Sequence, residues 1–223
     1  MIFVVCQAII WGYLKGTLRP VIRQSPQGQG SAEAEANAAT VNLARAGDQE
    51  ALRRLYEQHH RRIYNLIYRM MRKREDAIDL TAETFLRAFQ NLKHLKTDEA
   101  FGGWLRKVAV NLCLDQIKRR TPLTTSLEKM ASAEEGTGRP VEPADTLRGP
   151  EEKLIARELG EQVHEALAML SPDHRAVILL HHMDGKEVKE IAAIMDCSEG
   201  TVKSRLARAR ENLRQLLDKY LKS

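Results

Sequence analysis

Cysteine is scarce in this chain: Cys6, Cys113 and Cys197 are the three in 223 residues, and they stand far apart. No CxxC pair and no Cys/His ligand spacing appears. That argues against a disulfide scaffold and a zinc site and makes a reduced, cytoplasmic setting the expectation. The His59-His60 and His181-His182 pairs are adjacent rather than four apart, so one helix face cannot present both. Gly-rich phosphate loops, an HExxH pair and a nucleophile–base pairing are all missing, so no catalytic residue, cofactor, metal or small-molecule substrate is expected. Long apolar runs are lacking too. The opening stretch from Met1 to Leu14 is apolar, but shorter than the ~20 residues of a spanning helix. It lacks a basic leader and a small-residue cleavage site. An over-extended start or accessory tail is the expectation, with membrane association as the alternative. Aromatics make up only 5% against 29% charged residues, a composition of small helical domains with much solvated surface.

What is present is positive charge in two places. The net charge of +5 hides an uneven distribution: residues 45–120 hold 17 basic and 10 acidic side chains, residues 121–150 hold 3 and 5, and residues 201–223 hold 7 and 2. Two separated basic surfaces suggest two contacts on one polyanion. Solvated helix faces are the plain alternative.

The apolar pattern is helical throughout, with no strand-like alternation. Residues 1–44 form an N-terminal extension, and its Gln24–Thr40 portion has a flexible composition. Beginning near Asp48, Leu52, Leu55, His59, Ile63, Leu66 and Met70 mark one face of a long helix. Ile78, Ala82, Phe85, Phe89 and Leu92 mark a second. Thr97, followed by Asp98 and Glu99, announces a third, with Phe101, Leu105, Val108 and Leu112 on its face. It ends in Lys118-Arg119-Arg120 before Pro122, cations and a proline stop. Residues 45–120 thus make one helical domain. Residues 121–150, rich in Pro, Gly, Ser, Thr and acids, read as a flexible linker. The pattern resumes in residues 151–223 with Leu154, Leu159, Val163, Leu167 and Leu170. Ser171-Pro172 then caps a short helix reaching Met183.

Next come two helices in close succession. Val188, Ile191, Ala192 and Met195 form the face of the first, and Asp196-Cys197-Ser198 is a turn whose Ser198 is a good N-cap. Val202, Leu206, Ala209, Leu213 and Leu216 form the face of the second. At 100° per residue, Thr201, Ser204, Ala207 and Arg208 lie opposite, flanked by Lys203, Arg205, Arg210 and Arg214. This is the pattern of a helix-turn-helix whose second helix enters the major groove. Thr201, Ser204 and Arg208 are the expected base contacts, with Lys203, Arg205 and Arg210 mainly on phosphates. A plain amphipathic helix with a basic face is the alternative.

The string from Leu170 to Gly185, with Glu190-Ile-Ala192 and Gly200-Thr-Val-Lys-Ser-Arg-Leu-Ala-Arg-Ala-Arg210, resembles region 4 of bacterial sigma factors, in the extracytoplasmic-function (ECF) subfamily of the sigma-70 family. Taken alone, it is also similar to the LuxR-type regulator helix. Glu75 to Leu92 resembles the core-polymerase-binding helix of sigma region 2, and Phe101 to Arg120 its −10-element helix. The resemblance covers residues 43–220. It implies an all-α protein of two small helical domains, a region 2 bundle and a region 4 helix-turn-helix, on a flexible linker that threads toward the RNA path. Implied partners are core RNA polymerase (β′ clamp helices and β flap) and promoter DNA, with room for a cognate anti-sigma factor. Implied polymerase contacts are Asp76, Asp79, Leu80 and Glu83; a solvated acidic face is the alternative. Base capture falls in the loop from Asn91 to Thr97, which holds His94. Trp104, Lys107, Asn111, Lys118 and Arg119 serve the melted −10 strand, since aromatics stack on bases and cations hold the backbone. A core role for Trp104 stays open. Ser198, Gly200, Thr201, Lys203, Ser204, Arg205, Arg208 and Arg210 form the −35 set. A free-standing helix-turn-helix regulator is the competing reading.

Three positions depart from the family pattern. Ala82 stands where Gln is frequent, so the resemblance implies one polymerase contact fewer. Gly102-Gly103 weakens the start of the third helix by roughly 1 kcal/mol per glycine relative to Ala. Asp196 occupies a turn position where Gly is common, and Asp tolerates left-handed geometry better than most residues.

Overall fold

The computed structural model describes residues 30–95, 101–120 and 162–222. Among these, every regular element is helical and no strand occurs. The expected linker 121–150, the Thr97 cap, the apolar opening stretch, and Leu154 and Leu159 lie outside the described residues. Contacts group the described chain into two compact units, one built on residues 30–120, with residues 193–196 counted to it, and the other on residues 162–192 and 197–222.

In the N-terminal unit, helix α1 spans Gly30–Arg45. This corrects the expectation of a flexible lead-in through residue 44: Val41 and Ala44 are buried. Arg45 also reaches across to the carbonyl oxygens of Leu92 (3.5 Å) and Leu95 (3.3 Å). Two buried side chains in a stretch of small and polar residues leave a weak periodic signal. Helix α2, Gln49–Met71, starts where Asp48 accepts the Ala51 N–H at 2.7 Å, a cap worth about 1 kcal/mol. It buries Leu55, Ile63, Leu66, Ile67 and Met70 and stops at Arg72 in the left-handed conformation, φ 64°. The expected face is the one observed, with Leu52 and His59 half-buried at its edge.

Helix α3, Arg74–Gln90, differs from expectation in the face it buries. Ala77, Thr81, Thr84, Phe85 and Ala88 point inward, while Ile78 is 50% exposed and Ala82 is exposed. Threonine can occupy a core position because each hydroxyl donates to the carbonyl four residues back: Thr81 to Ala77 and Thr84 to Leu80, both at 2.6 Å. That satisfies each buried hydroxyl within its own helix. A single 3-10 turn, Leu92–His94, buries Leu92. Helix α4, Phe101–Arg120, packs on both α2 and α3. It buries Phe101, Leu105, Ala109, Val110, Leu112 and Cys113, more of its circumference than one stripe. Arg106 is buried as well and donates to the Gly102 carbonyl at 2.8 Å.

In the C-terminal unit, α5 covers residues 162–168. Helix α6, Pro172–Ile178, begins at Ser171, whose Oγ accepts the His174 N–H at 3.4 Å, and continues as a π-helical turn, Leu179–Met183. Arg175 is 6% exposed. It donates to the carbonyls of Leu167 (2.9 Å), Leu170 (3.2 Å) and Ala168, so one guanidinium satisfies the orphan carbonyls at the end of α5. Helix α7, Val188–Met195, and α8, Glu199–Lys222, follow. Asp196 takes φ 53°, as the tolerance of Asp for this geometry leads one to expect. Ser198 caps α8, accepting the Thr201 N–H at 3.1 Å. The buried face of α8 is Val202, Leu206, Ala209, Leu213 and Leu217, so Leu217 replaces the expected Leu216 in the last turn.

Candidate nucleic-acid interface

The outward face of α8 is narrower than its composition suggests. Lys203, Ser204 and Arg208 are exposed. Ser204 Oγ donates to the Thr201 carbonyl at 2.9 Å. Thr201 is half-buried with Oγ1 2.9 Å from Ser198 Oγ, so both hydroxyls at the helix start are held in fixed positions. Gly200 is exposed, and a Cβ there would meet only Ser198 Oγ, at 3.7 Å. The remaining two cations turn toward their own unit. Arg205 lies 3.6 Å from the Asp173 carboxylate and 3.9 Å from Cys197 Sγ. Arg210 donates to His182 Nε2 at 3.2 Å. Both are half-buried, unlike Lys203 and Arg208. The N-terminal turn of α6 borders this face: burial, opposed by Asp173 and aided by Arg205 and Arg208, lowers the His174 pKa below its ordinary range. Burial, then Arg210 and His181, hold the His182 pKa down to about 4, so it is neutral and can accept from Arg210.

On the N-terminal unit, α4 presents Trp104 and Lys107 half-buried, and Asn111, Lys118 and Arg119 exposed. The Trp104 ring leans on Phe101 at 6.3 Å between centroids, which fixes its position without burying it. Phe101 in turn meets His59 at 5.4 Å. Burial, with Arg106 and Arg62 adding to it, pushes the His59 pKa down to about 4. In the approach to the loop, Asn91 is exposed and its Nδ2 donates to the Arg87 carbonyl at 2.9 Å, while His94 is exposed. The rest of that loop, residues 96–100, lies outside the described residues.

The acidic ladder of α3 splits three ways. Asp79 is exposed. Glu83 accepts from Arg87 Nε at 2.6 Å. The Asp76 side chain is only 12% exposed and engages both guanidinium nitrogens of Arg120 across to α4. Leu80 is half-buried. Beside Asp79 and Glu83 runs an outward apolar stripe that the buried-face reading of α3 misses: Ile78 at 50% and Leu86 at 53% exposed, with Ala82 between them. Their i, i+4, i+8 spacing is the available signal, since a helix with apolar residues on two faces needs two coverings.

Two family models match the chain: Sigma-70 region 2 over residues 55–122 and Sigma-70 region 4 over residues 160–213. The ECF RNA polymerase sigma factor SigW of Bacillus subtilis is 31% identical over 177 residues, covering 79% of this chain and 94% of that protein. The chain belongs to the ECF sigma factors of the sigma-70 family. SigE of Mycolicibacterium smegmatis is 35% identical over 178 residues, 78% of this chain; the chain spans 65% of that relative's length. Among solved structures, CnrH in complex with the cytosolic domain of CnrY aligns with TM-score 0.59 and 23% identity over 82% of this chain and 98% of that one. RpoE of Bartonella quintana, with the anti-sigma factor NepR, aligns at 0.56 and 23% over 74% and 96%. Both share the fold. In the terms of this family, α3 and α4 belong to sigma region 2, and α6 to α8 belong to region 4. Among the described residues no group of His, Cys, Asp or Glu is placed to hold a metal, and no helix is long and apolar enough to cross a membrane.

Proposed function

We propose that this ECF sigma factor directs core RNA polymerase to promoters by recognition alone. Its region 4 unit reads the −35 element as duplex, and its region 2 unit captures the melted −10 strand. The observation that carries the reading is the capped, outward face of α8, where Lys203, Ser204 and Arg208 stand exposed beside hydroxyls held by the Ser198 cap. A helix N-terminus presenting short polar side chains and a guanidinium suits base edges, and the lysine suits phosphate. Thr201 and Gly200 complete that contact. Arg205 and Arg210 contribute by holding α8 against its own unit.

The −10 contact we assign to Trp104, Lys107, Asn111, Lys118 and Arg119, with Asn91 and His94 bordering the capture loop. Polymerase docks on the outward stripe of α3: Ile78 and Leu86 supply apolar area, and Asp79 and Glu83 supply charge for the basic β′ clamp helices. Region 4 docks on the β flap. The domains follow as 45–120 and 151–223, joined by 121–150, in a protein of the cytoplasm. A cognate anti-sigma factor fits the same reading, since a Bartonella quintana protein of this fold is solved with one.

The test is transcription from genomic fragments by purified core enzyme with and without the protein, with start sites mapped. Shared −35 and −10 sequences upstream of starts that need both components are the expected result. A second measurement addresses docking: the double charge reversal Asp79→Lys and Glu83→Lys should weaken core binding at least about tenfold. Unchanged binding would remove the β′ assignment. A free-standing regulator would instead dimerise and bind a palindrome tightly without polymerase.

A further inference from the structure

Asp76 and Arg120 are 44 positions apart, yet they form a two-point ion pair: Arg120 Nη2 donates to Asp76 Oδ1 at 2.7 Å and Nη1 donates to Oδ2. Asp76 lies in the first turn of α3 and Arg120 is the last residue of α4. The carboxylate is largely covered, 12% exposed, whereas the guanidinium is 48% exposed. A docking carboxylate must be open to its partner, as Asp79 is. Asp76 is closed over by its own fold, and its charge also favours the helix N-terminus it occupies.

The fork-to-fork geometry fixes direction as well as distance. Without it the last turn of α4 is a helix end followed by Thr121 and Pro122, with exposed Lys118 and Arg119 and no other described ion pair to hold it. Helix ends of that kind fray.

We propose that Asp76 is a positioning residue: through Arg120 it locks the DNA-contacting end of α4 to the first turn of the polymerase-docking helix, so that docking sets where Lys118 and Arg119 meet the promoter. This rests on the region 2 roles proposed above. It removes Asp76 from the polymerase contacts and gives Arg120 a role distinct from that of its DNA-contacting neighbours Lys118 and Arg119.

The test uses holoenzyme reconstituted with core polymerase, on a promoter mapped with the wild-type protein. Four proteins are compared: wild type, Asp76→Asn, Arg120→Gln, and the swap Asp76→Arg with Arg120→Asp. Core affinity is measured by competition, and opening by permanganate reactivity of −10 thymines on duplex and on pre-melted template. Loss of a charge-assisted pair predicts that each single variant opens duplex about tenfold less well, with core affinity within about twofold. The pre-melted template should mask most of the defect, and the swap should restore opening. Thermal melts show that each variant is folded.

Three outcomes overturn the proposal. Core affinity that falls with Asp76→Asn makes Asp76 a polymerase contact. A defect in Arg120→Gln alone makes Arg120 a DNA contact. Single defects that the swap leaves unrestored remove the pair as their cause. If wild type opens no promoter with core enzyme, the sigma-factor role fails first, and this inference fails with it.

Discussion

A Cβ on Gly103 would meet nothing within 4 Å, whereas one on Gly102 would lie 3.1 Å from Arg106 Nη1 and 3.5 Å from the His59 ring. The two neighbours should therefore answer differently to alanine. Gly103→Ala removes backbone freedom from the unfolded chain and should stabilise the N-terminal unit by about 0.5–1 kcal/mol. Gly102→Ala should gain less or lose, because Arg106 is buried and committed to the Gly102 carbonyl. Differential scanning calorimetry would show a rise of a few degrees for the first; a rise of equal size for both would remove the packing argument. His59, a few ångströms away, supplies a pH test. Its pKa is about 4 in the fold against 6.5 when free, so between those values the unfolded chain binds the proton more readily. Stability is then full above about pH 6.5 and falls as pH drops toward 4. The loss attributable to His59 between pH 7 and pH 5 is on the order of 1–2 kcal/mol. Urea unfolding at the two pH values should show a smaller difference in His59→Leu than in wild type. These environments were not legible in the sequence, where His59 is simply one member of an apolar stripe. What lowers its pKa is burial first, then Arg106, brought in from another helix, and Arg62.

At the scale of elements, legibility followed locality. The caps at Ser171 and Ser198 are set by contacts within three residues, so their residue types announced them. The left-handed turn at Asp196 was readable for the same reason. The inward face of α3 was not, because periodicity counts Ile78 and Ala82 as core and passes over Thr81 and Thr84. Only the back-bonded hydroxyls reverse that order. The guanidiniums of Arg106 and Arg175 escape pattern reading too: both are buried on carbonyls that composition cannot see. One helix end carries a further prediction. Arg72 ends α2 at φ 64° with its N–H 2.8 Å from the Tyr68 carbonyl, a position where a Cβ is strained. Arg72→Gly should stabilise by up to about 1 kcal/mol through relief of that strain, less whatever entropy glycine restores to the unfolded chain. A denaturant midpoint that moves down by a comparable amount would mean that the arginine side chain contributes more than its backbone costs.

Over the whole molecule, most arginines on the helices are engaged within the protein. Arg53 and Arg54 pair with Glu50, Arg87 with Glu83, Arg214 with Glu211 and Asp218, and Arg120 with Asp76. Of the four cations on the first half of α8, Lys203 and Arg208 are exposed, while Arg205 and Arg210 are half-buried against Asp173 and His182. The count of 35 Lys and Arg therefore overstates the cations available to DNA. Each phosphate neutralised adds about 0.9 to the salt slope of binding, so a free chain using two or three cations per surface should bind promoter duplex weakly, in the ~10⁻⁶ M range or above at physiological salt. Presented on polymerase, the two surfaces should become separable by template. Lys203→Ala should lower the salt slope of −35-dependent binding by about 1, and Arg205→Ala should leave it unchanged while lowering the melting temperature. Arg208→Ala should fail on a duplex promoter with a −35 element, by at least about tenfold, and should behave as wild type on a pre-melted template lacking that element. Trp104→Ala should fail on both templates, because the unstacked −10 strand must be held whether or not the duplex is already open. If Arg208→Ala and Trp104→Ala fail equally on both templates, the two units do not divide the promoter between them, and the assignment of α8 to duplex and α4 to single strand is wrong.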